Sequence, residues 1–409
     1  MSKIIFILLI LQIFFSSYNS EDNVILQINR SKSHSDKSGA LTPLVVTLSS
    51  EDKAEKVRGV DLICVVDISG SMSSYNKMNL VKESLKYLVN LMNSQDKLAI
   101  VTFSSNSNTL FGLTQMTEAN KANVIPKIEA LIANGGTDIY SGLTRGLGLI
   151  KHAYSSEERV ASMILLSDGF DQGSNSDTKF ANYINSEKKY NYAFTLHTLG
   201  YGESHQADLM HKLSKIRDGG YFFIRYLSTV KDAILEIYGS LSTNYKINVE
   251  LTISSNYRIN NVYGRDDLFY QTLRNGSPST FYTKIIQFVY GKRYDFVTLV
   301  NIPTDVQSGT VVLTAKVSPF NKTADYKWDN SYLDPFAYEE YIRGISANFI
   351  QTSYNNGASK GINTMNSAVS WINLNYDGTR DWKTEYNDII EDCRHYSTYG
   401  QANILSKLR

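Results

Sequence analysis

The chain has 409 residues, more than one core usually organises, so two or three packed units are expected. Hydrophobic residues at 42% and charged residues at 20% exclude wholesale disorder. With 41 Lys and Arg against 40 Asp and Glu, the net charge of +1 gives no electrostatic footing for nucleic acid.

Lys3 precedes an apolar run, Ile4 to Phe15, and a small polar stretch, Ser16 to Ser20. That layout predicts a secretory leader over residues 1–20, since a dozen apolar residues are too few to span a bilayer. No later segment is apolar enough to span, so a secreted or lumenal protein without a transmembrane segment is expected. Sequons at Asn29, Asn275 and Asn321 are compatible with that compartment. The two cysteines, Cys64 and Cys393, are too few for a disulfide scaffold or a Cys-rich metal module, and both are expected as buried thiols.

Strands are predicted over Asn23–Ile28 and Leu44–Leu48, within an N-terminal segment 21–56. Val60 to Asp67 is a near-continuous apolar run that ends at a polar turn, the pattern of a parallel strand buried on both faces. Val81, Leu85, Leu88 and Met92 then mark an amphipathic helix, and Leu98–Phe103 the next strand. Helices follow after Glu118 and around Leu143–Ile150, then a strand at Met163–Leu166 stopping at Ser167-Asp168-Gly169. A helix from Phe180 to Lys189, a strand from Ala193 to Leu199, a helix from Ala207 to Ile216 and a strand from Tyr221 to Ile224 complete the alternation. Alternation on this scale implies a doubly wound α/β sheet, set here at 57–241.

Residues 242–330 change to β-branched and alternating runs, which predict an antiparallel sandwich-like unit that recruits the two early strands. Residues 331–409 carry helical stripes, among them Tyr338, Ile342, Ile345 and Phe349, read as ordinary core faces.

The chemistry concentrates at predicted strand ends. Asp67, Ser69 and Ser71 follow the first buried strand, Thr137 sits in Gly135-Gly136-Thr137-Asp138, and Asp168 ends another strand. In a doubly wound sheet, ligands bind beyond the carboxyl ends of the strands. Asp67-Ile68-Ser69-Gly70-Ser71, the later Thr137 and Asp168-Gly169 resemble the metal-ion-dependent adhesion site of von Willebrand factor type A domains. Asp61, the run Ile164–Gly169, His197–Gly202 and Gly219–Phe222 extend the resemblance over roughly Val57 to Leu241.

The resemblance implies a Rossmann-like fold in which Ser69, Ser71 and Thr137 offer hydroxyls to an ion. Asp67 and Asp168 would hold it directly or through water. Oxygen-only donors imply Mg²⁺, with Mn²⁺ or Ca²⁺ as substitutes. An open coordination position implies a protein partner with an acidic side chain. No nucleophile–His pair accompanies the motif, so binding without catalysis is expected.

Two other roles stay open: a structural matrix or assembly component whose ion only braces the loop, and a regulatory subunit of an enzyme complex. The ending Tyr399-Gly400-Gln401-Ala402-Asn403-Ile404-Leu405-Ser406 resembles the tail of plant and protist proteins with such domains. Some of those carry a RING module, for which this chain has too few cysteines, so ligase activity is not carried over. No His-Glu-x-x-His is present, and His205 and His211 are expected as surface histidines.

Overall fold

The structure, a computed structural model, describes residues 24–31, 41–51, 58–153, 159–173, 175–186, 193–202, 205–264, 270–329 and 340–344, with positions 337, 366, 369, 370 and 387. The expected leader, Cys393, the 399–406 ending and most of the expected C-terminal helical region lie outside the described residues. Among the described residues, no helix is long and apolar enough to cross a membrane.

Gly59–Asp67 (β3) is the centre of a six-stranded sheet. It pairs in parallel with Lys97–Phe103 (β4) on one side and Arg159–Ser167 (β6) on the other. Phe194–Tyr201 (β7) and Tyr221–Ile224 (β8) continue the parallel array beyond β6. From Val60 to Asp67 every residue of β3 is buried, because helices cover both faces of the sheet.

The period of two then sorts its side chains. Leu62, Cys64 and Val66 pack with Val81, Leu85 and Leu88 of helix α1 (Lys77–Leu91). Ile63 and Val65 pack with Leu143 and Leu147 of helix α3 (Ile139–Ala153). Helix α2 (Glu118–Glu129) and helix α6 (Leu227–Ser242) join the first face. Helices α4 (Ser176–Ser186) and α5 (Ala207–Lys215) join the second. The approach of α3 is close enough that a Cβ on Gly142 would meet the Phe103 ring at 2.7 Å. A side chain there would therefore push the helix off the sheet.

One strand of this sheet escapes the sequence pattern. Ser107–Gln115 (β5) is an antiparallel edge partner of β4, and its polar, half-exposed residues lack the apolar run of a central strand. Cys64 is fully buried, and burial alone pushes its thiol up to about 12, so it is an inert packing residue.

The remaining strands form two antiparallel sheets. Val24–Arg30 (β1), Leu41–Ser50 (β2), Arg293–Asn301 (β13) and Ile259–Tyr263 (β10) make the first, in that order. Tyr270–Arg274 (β11), Ser279–Val289 (β12), Asn244–Ser255 (β9), Val311–Ser318 (β14) and Lys322–Lys327 (β15) make the second. Leu44, Val46 and Leu48 of one sheet and Val249, Leu251 and Ile253 of the other share a single core with Phe288 and Phe296, so the two sheets form a sandwich. The short strands β11 and β15 were not separately legible in the sequence, since each is an edge with alternating exposure or little apolar content. Residues 340–344 are helical, and Tyr341 packs with Val45, Val297 and Leu299 on the outer face of the first sheet.

The sandwich follows α6 with only Thr243 between them. It docks through Gln287, whose amide donates to Ala161 O at 2.9 Å and whose carbonyl accepts from Thr195 Oγ1 at 3.4 Å. Both contacts lie at the amino ends of β6 and β7, which leaves the carboxyl ends of the sheet uncovered by the sandwich.

At the same amino end, buried Asp96 accepts from Val60 N at 3.0 Å, Asn93 N at 3.0 Å and the Tyr238 hydroxyl at 2.6 Å. The last bond ties α6 to the sheet. Tyr238→Phe is expected to destabilise the protein by about 1.5–3 kcal/mol, the usual range for a hydrogen bond to a charged group. Urea denaturation measures it, and an unchanged midpoint would show that α6 is held by packing alone.

Candidate metal and ligand site

Strands β3 and β6 lie on opposite sides of the point where the chain reverses its direction of sheet growth, β4 and β5 being added on one side of β3 and β6 on the other. The loops after β3 and β6 therefore open a crevice at the carboxyl edge.

Asp67 is the last residue of β3, and both its oxygens are engaged. Oδ1 accepts from Ser69 N at 2.8 Å and Oδ2 from Ser167 Oγ at 2.5 Å. Burial pushes the Asp67 carboxyl up to about 6. The hydrogen bonds from Ser167 and Ser69 work against that rise, and the charge of Asp168 adds to it.

From Ser69 the string continues. Its hydroxyl lies 3.0 Å from that of Ser71, and Ser71 Oγ donates to Asp168 Oδ1 at 3.1 Å. Four of the five expected donors are thus linked in one hydrogen-bonded chain across two strand ends.

Thr137 is joined through its backbone. Gly70 N donates to Gly135 O at 2.9 Å, and Gln172 N donates to Thr137 O at 3.0 Å, so its loop is tied to both others. Thr137 is buried, and no protein group among the described residues bonds its hydroxyl. That leaves the hydroxyl to solvent or to a ligand.

Two contributors were not anticipated. Ser167 supplies the hydroxyl on Asp67, hidden in the sequence as the polar end of a strand. Lys77 places its ammonium 2.7 Å from Asp168 Oδ2, and both side chains are almost fully buried. A signal for Lys77 did exist, since it stands four residues before Val81 on the buried stripe of α1, where a lysine is out of place.

The histidines also differ from expectation. His205 is fully buried and precedes α5, with Nδ1 2.6 Å from Gly202 O and Nε2 2.5 Å from the Tyr221 hydroxyl. His211 is half-buried. His205 turns inward because Tyr221 and Gly202 satisfy both its ring nitrogens.

The donors suit a hard divalent cation. They are hydroxyl and carboxylate oxygens, the donor type that hard cations take. Ser69, Ser71, Thr137, Asp67 and Asp168 are the residues that would hold it.

The match to known proteins decides what this crevice belongs to. Residues 61–240 match the family model of the von Willebrand factor type A domain. These residues form a von Willebrand factor type A domain.

Outside the domain the likeness is one of fold. A von Willebrand factor type A structure from Catenulispora acidiphila superposes with a TM-score of 0.68 at 17% identity, over 92% of this chain and 90% of that one. The ArnB paralog VWA2 from Sulfolobus acidocaldarius superposes with a TM-score of 0.54 at 17% identity, over 94% and 97%. The combination of α/β domain and antiparallel sheets is thus a shared architecture. By sequence, the chain is 27% identical over 194 residues to the protein YfbK of Escherichia coli (strain K12). It is 26% identical over 187 residues to calcium-activated chloride channel regulator 1 of Homo sapiens. These matches take in 46% and 45% of this chain but only 32% and 19% of the relatives.

Proposed function

We propose that the type A domain is a secreted or lumenal protein-binding module that grips an acidic side chain of its partner through Mg²⁺, without catalysis. The observation that carries this reading is the string Asp67–Ser69–Ser71–Asp168 at the sheet's switch point, with the unbonded Thr137 hydroxyl beside it. A cation bound there supplies positive charge to a site whose own hydroxyls are neutral, and a carboxylate is its natural counterpart.

The surroundings support a protein partner. Tyr75 is 87% exposed, Ile132 76% and Phe170 40%. They stand on the loops that follow the Ser69–Ser71 turn, precede Thr137 and follow Asp168, so aromatic and aliphatic surface rims the crevice. Tyr75 holds φ at 53°, an uncommon conformation for a bulky residue, which thrusts its ring outward. Such a rim fits an acidic residue flanked by apolar ones on a protruding loop. Against catalysis, the nearby His205 spends both ring nitrogens on Gly202 and Tyr221. The leader-like residues 1–20 support the compartment.

The test combines two measurements. Mg²⁺ or Mn²⁺ titration should show binding to the wild type and a loss of at least about a hundredfold in Asp67→Ala, as removal of a charged ligand from a small-cation site implies. Affinity capture in Mg²⁺ against EDTA should then release the same partner that Asp67→Ala fails to capture. Capture indifferent to both EDTA and Asp67→Ala would sink the reading and favour a purely structural ion.

A further inference from the structure

The buried lysine at the crevice has no role in the reading above. Lys77 is 3% exposed, and its ammonium lies on Asp168 Oδ2 at 2.7 Å. The other oxygen of Asp168 takes the Ser71 hydroxyl at 3.1 Å and Phe170 N at 3.4 Å. Lysine and serine thus divide one carboxylate between them, and Ser71 belongs to the string that would hold the cation.

The lysine is built into this position. Its stem runs past Gly202, where an added Cβ would lie 2.8 Å from Lys77 Cε, and Gly202 has φ +83°. Glycine is required there both for the backbone conformation and for the passage of the lysine. The Phe170 ring centroid lies 5.8 Å from the ammonium, so an aromatic face also borders it. Taking a long, flexible cation out of water costs entropy and solvation. Holding it against a carboxylate of the candidate metal site has an electrostatic consequence that an ordinary surface ion pair lacks.

We propose that Lys77 is a tethered cation that shares Asp168 with the divalent ion, weakening metal affinity while keeping the loaded site positive for an anionic partner. The proposal rests on reading the cluster as a metal site. Counted as formal charges, Asp67, Asp168 and Lys77 sum to −1, where the two carboxylates alone would give −2. A divalent ion then brings it to +1 instead of neutral. The ammonium repels the ion at short range in a buried setting, where screening by salt is weak. The same excess charge remains to attract a carboxylate.

The experiment is titration of full-length protein with Mn²⁺, read by electron paramagnetic resonance, and with Mg²⁺, read by calorimetry. Wild type, Lys77→Met, Lys77→Gln, Lys77→Arg and Asp67→Ala are compared, each checked for folding by circular dichroism. Lys77→Met or Lys77→Gln should bind the ion at least tenfold more tightly than wild type. Lys77→Arg, which keeps the charge, should match wild type or bind more weakly. A purely structural ion pair predicts the reverse pattern for the neutral variants, with lower melting temperature and unchanged or weaker metal binding per folded molecule; that result overturns the proposal. Tightening in Lys77→Arg overturns it as well, and does so even if the neutral variants fail to fold. If wild type binds the ion and Asp67→Ala does not, yet the neutral variants equal wild type, only the lysine's role is lost. If neither wild type nor any Lys77 variant binds, the metal-site reading falls with it.

Discussion

Asp168→Ala is expected to remove divalent-ion binding and also to cost the metal-free protein about 3–5 kcal/mol, the usual penalty for stripping one partner from a buried ion pair. Lys77 has 4% of its side chain exposed, and Gly202 and Phe170 border its path, so the orphaned ammonium has no short way to water. Asp67→Ala should behave differently in the same site. The Asp67 carboxyl is already pushed up to about 6 by burial, so removing it relieves an unfavourable buried acid while taking an acceptor from the Ser167 hydroxyl and from Ser69. Its stability loss is expected at about 1–2 kcal/mol, although the proposed ion binding should be lost in both variants.

Urea denaturation in EDTA separates the two effects, with metal titration alongside. The double variant Asp168→Ala/Lys77→Met should recover part of the loss, because the charge left unpaired is gone. Equal stability of Asp168→Ala and wild type in EDTA would mean that Lys77 reaches solvent without cost.

Acidification should be the second large effect. Burial drives His197 down to about 3, His205 to about 4 and His211 to about 4, with a nearby lysine adding to the drop at His197 and His211. The geometry agrees with neutral rings. Gly220 N donates to His197 Nδ1 at 3.0 Å, which requires that nitrogen to be unprotonated. His205 lies 2.6 Å from the Gly202 carbonyl through Nδ1 and 2.5 Å from the Tyr221 hydroxyl through Nε2, a pattern met by the Nδ1–H tautomer.

The sign follows from proton counts. The unfolded chain binds protons at these histidines as pH falls below about 6.5, while the folded protein does not until pH approaches 4. The unfolded state therefore binds more protons across that window, and stability falls as pH falls. His205, fully buried, accounts for roughly 3 kcal/mol by pH 4, at about 1.4 kcal/mol for each pH unit. Asp67 acts in the opposite sense. Its folded-state pKa of about 6 exceeds the unfolded value of 3.8, so its contribution grows as pH drops through 6. Burial raises the Glu340 carboxyl as well, but three strongly lowered histidines outweigh these two carboxyls and leave a net loss. Urea midpoints in EDTA at pH 7, 5.5 and 4.5 should decline in that order, and a flat profile would contradict the neutral, buried assignment.

The contrast between Asp67 and Lys77 shows how far residue order alone reaches. Asp67, Ser69 and Ser71 were legible because a fully buried parallel strand needs a continuous apolar run, and a polar motif that ends such a run falls at the carboxyl edge of a sheet. The helix–strand alternation was legible for the same local reason, a change between periods of 3.6 and 2. Strands β5, β11 and β15 were not, because an edge strand is half-solvated and needs no strong pattern.

The remaining features depend on distances between residues remote in the chain. Strand β2 pairs with β13, joining Val46 to Phe296. Ser167 reaches back to Asp67, and Gly202 leaves room for Lys77 to reach Asp168. His205, polar and next to a helix start, turns inward because Tyr221 and Gly202 meet both its nitrogens. Local periodicity reports how one segment divides itself between core and solvent. Whether a polar side chain is buried depends on partners that other segments bring, and those are set by packing rather than by neighbours in the chain.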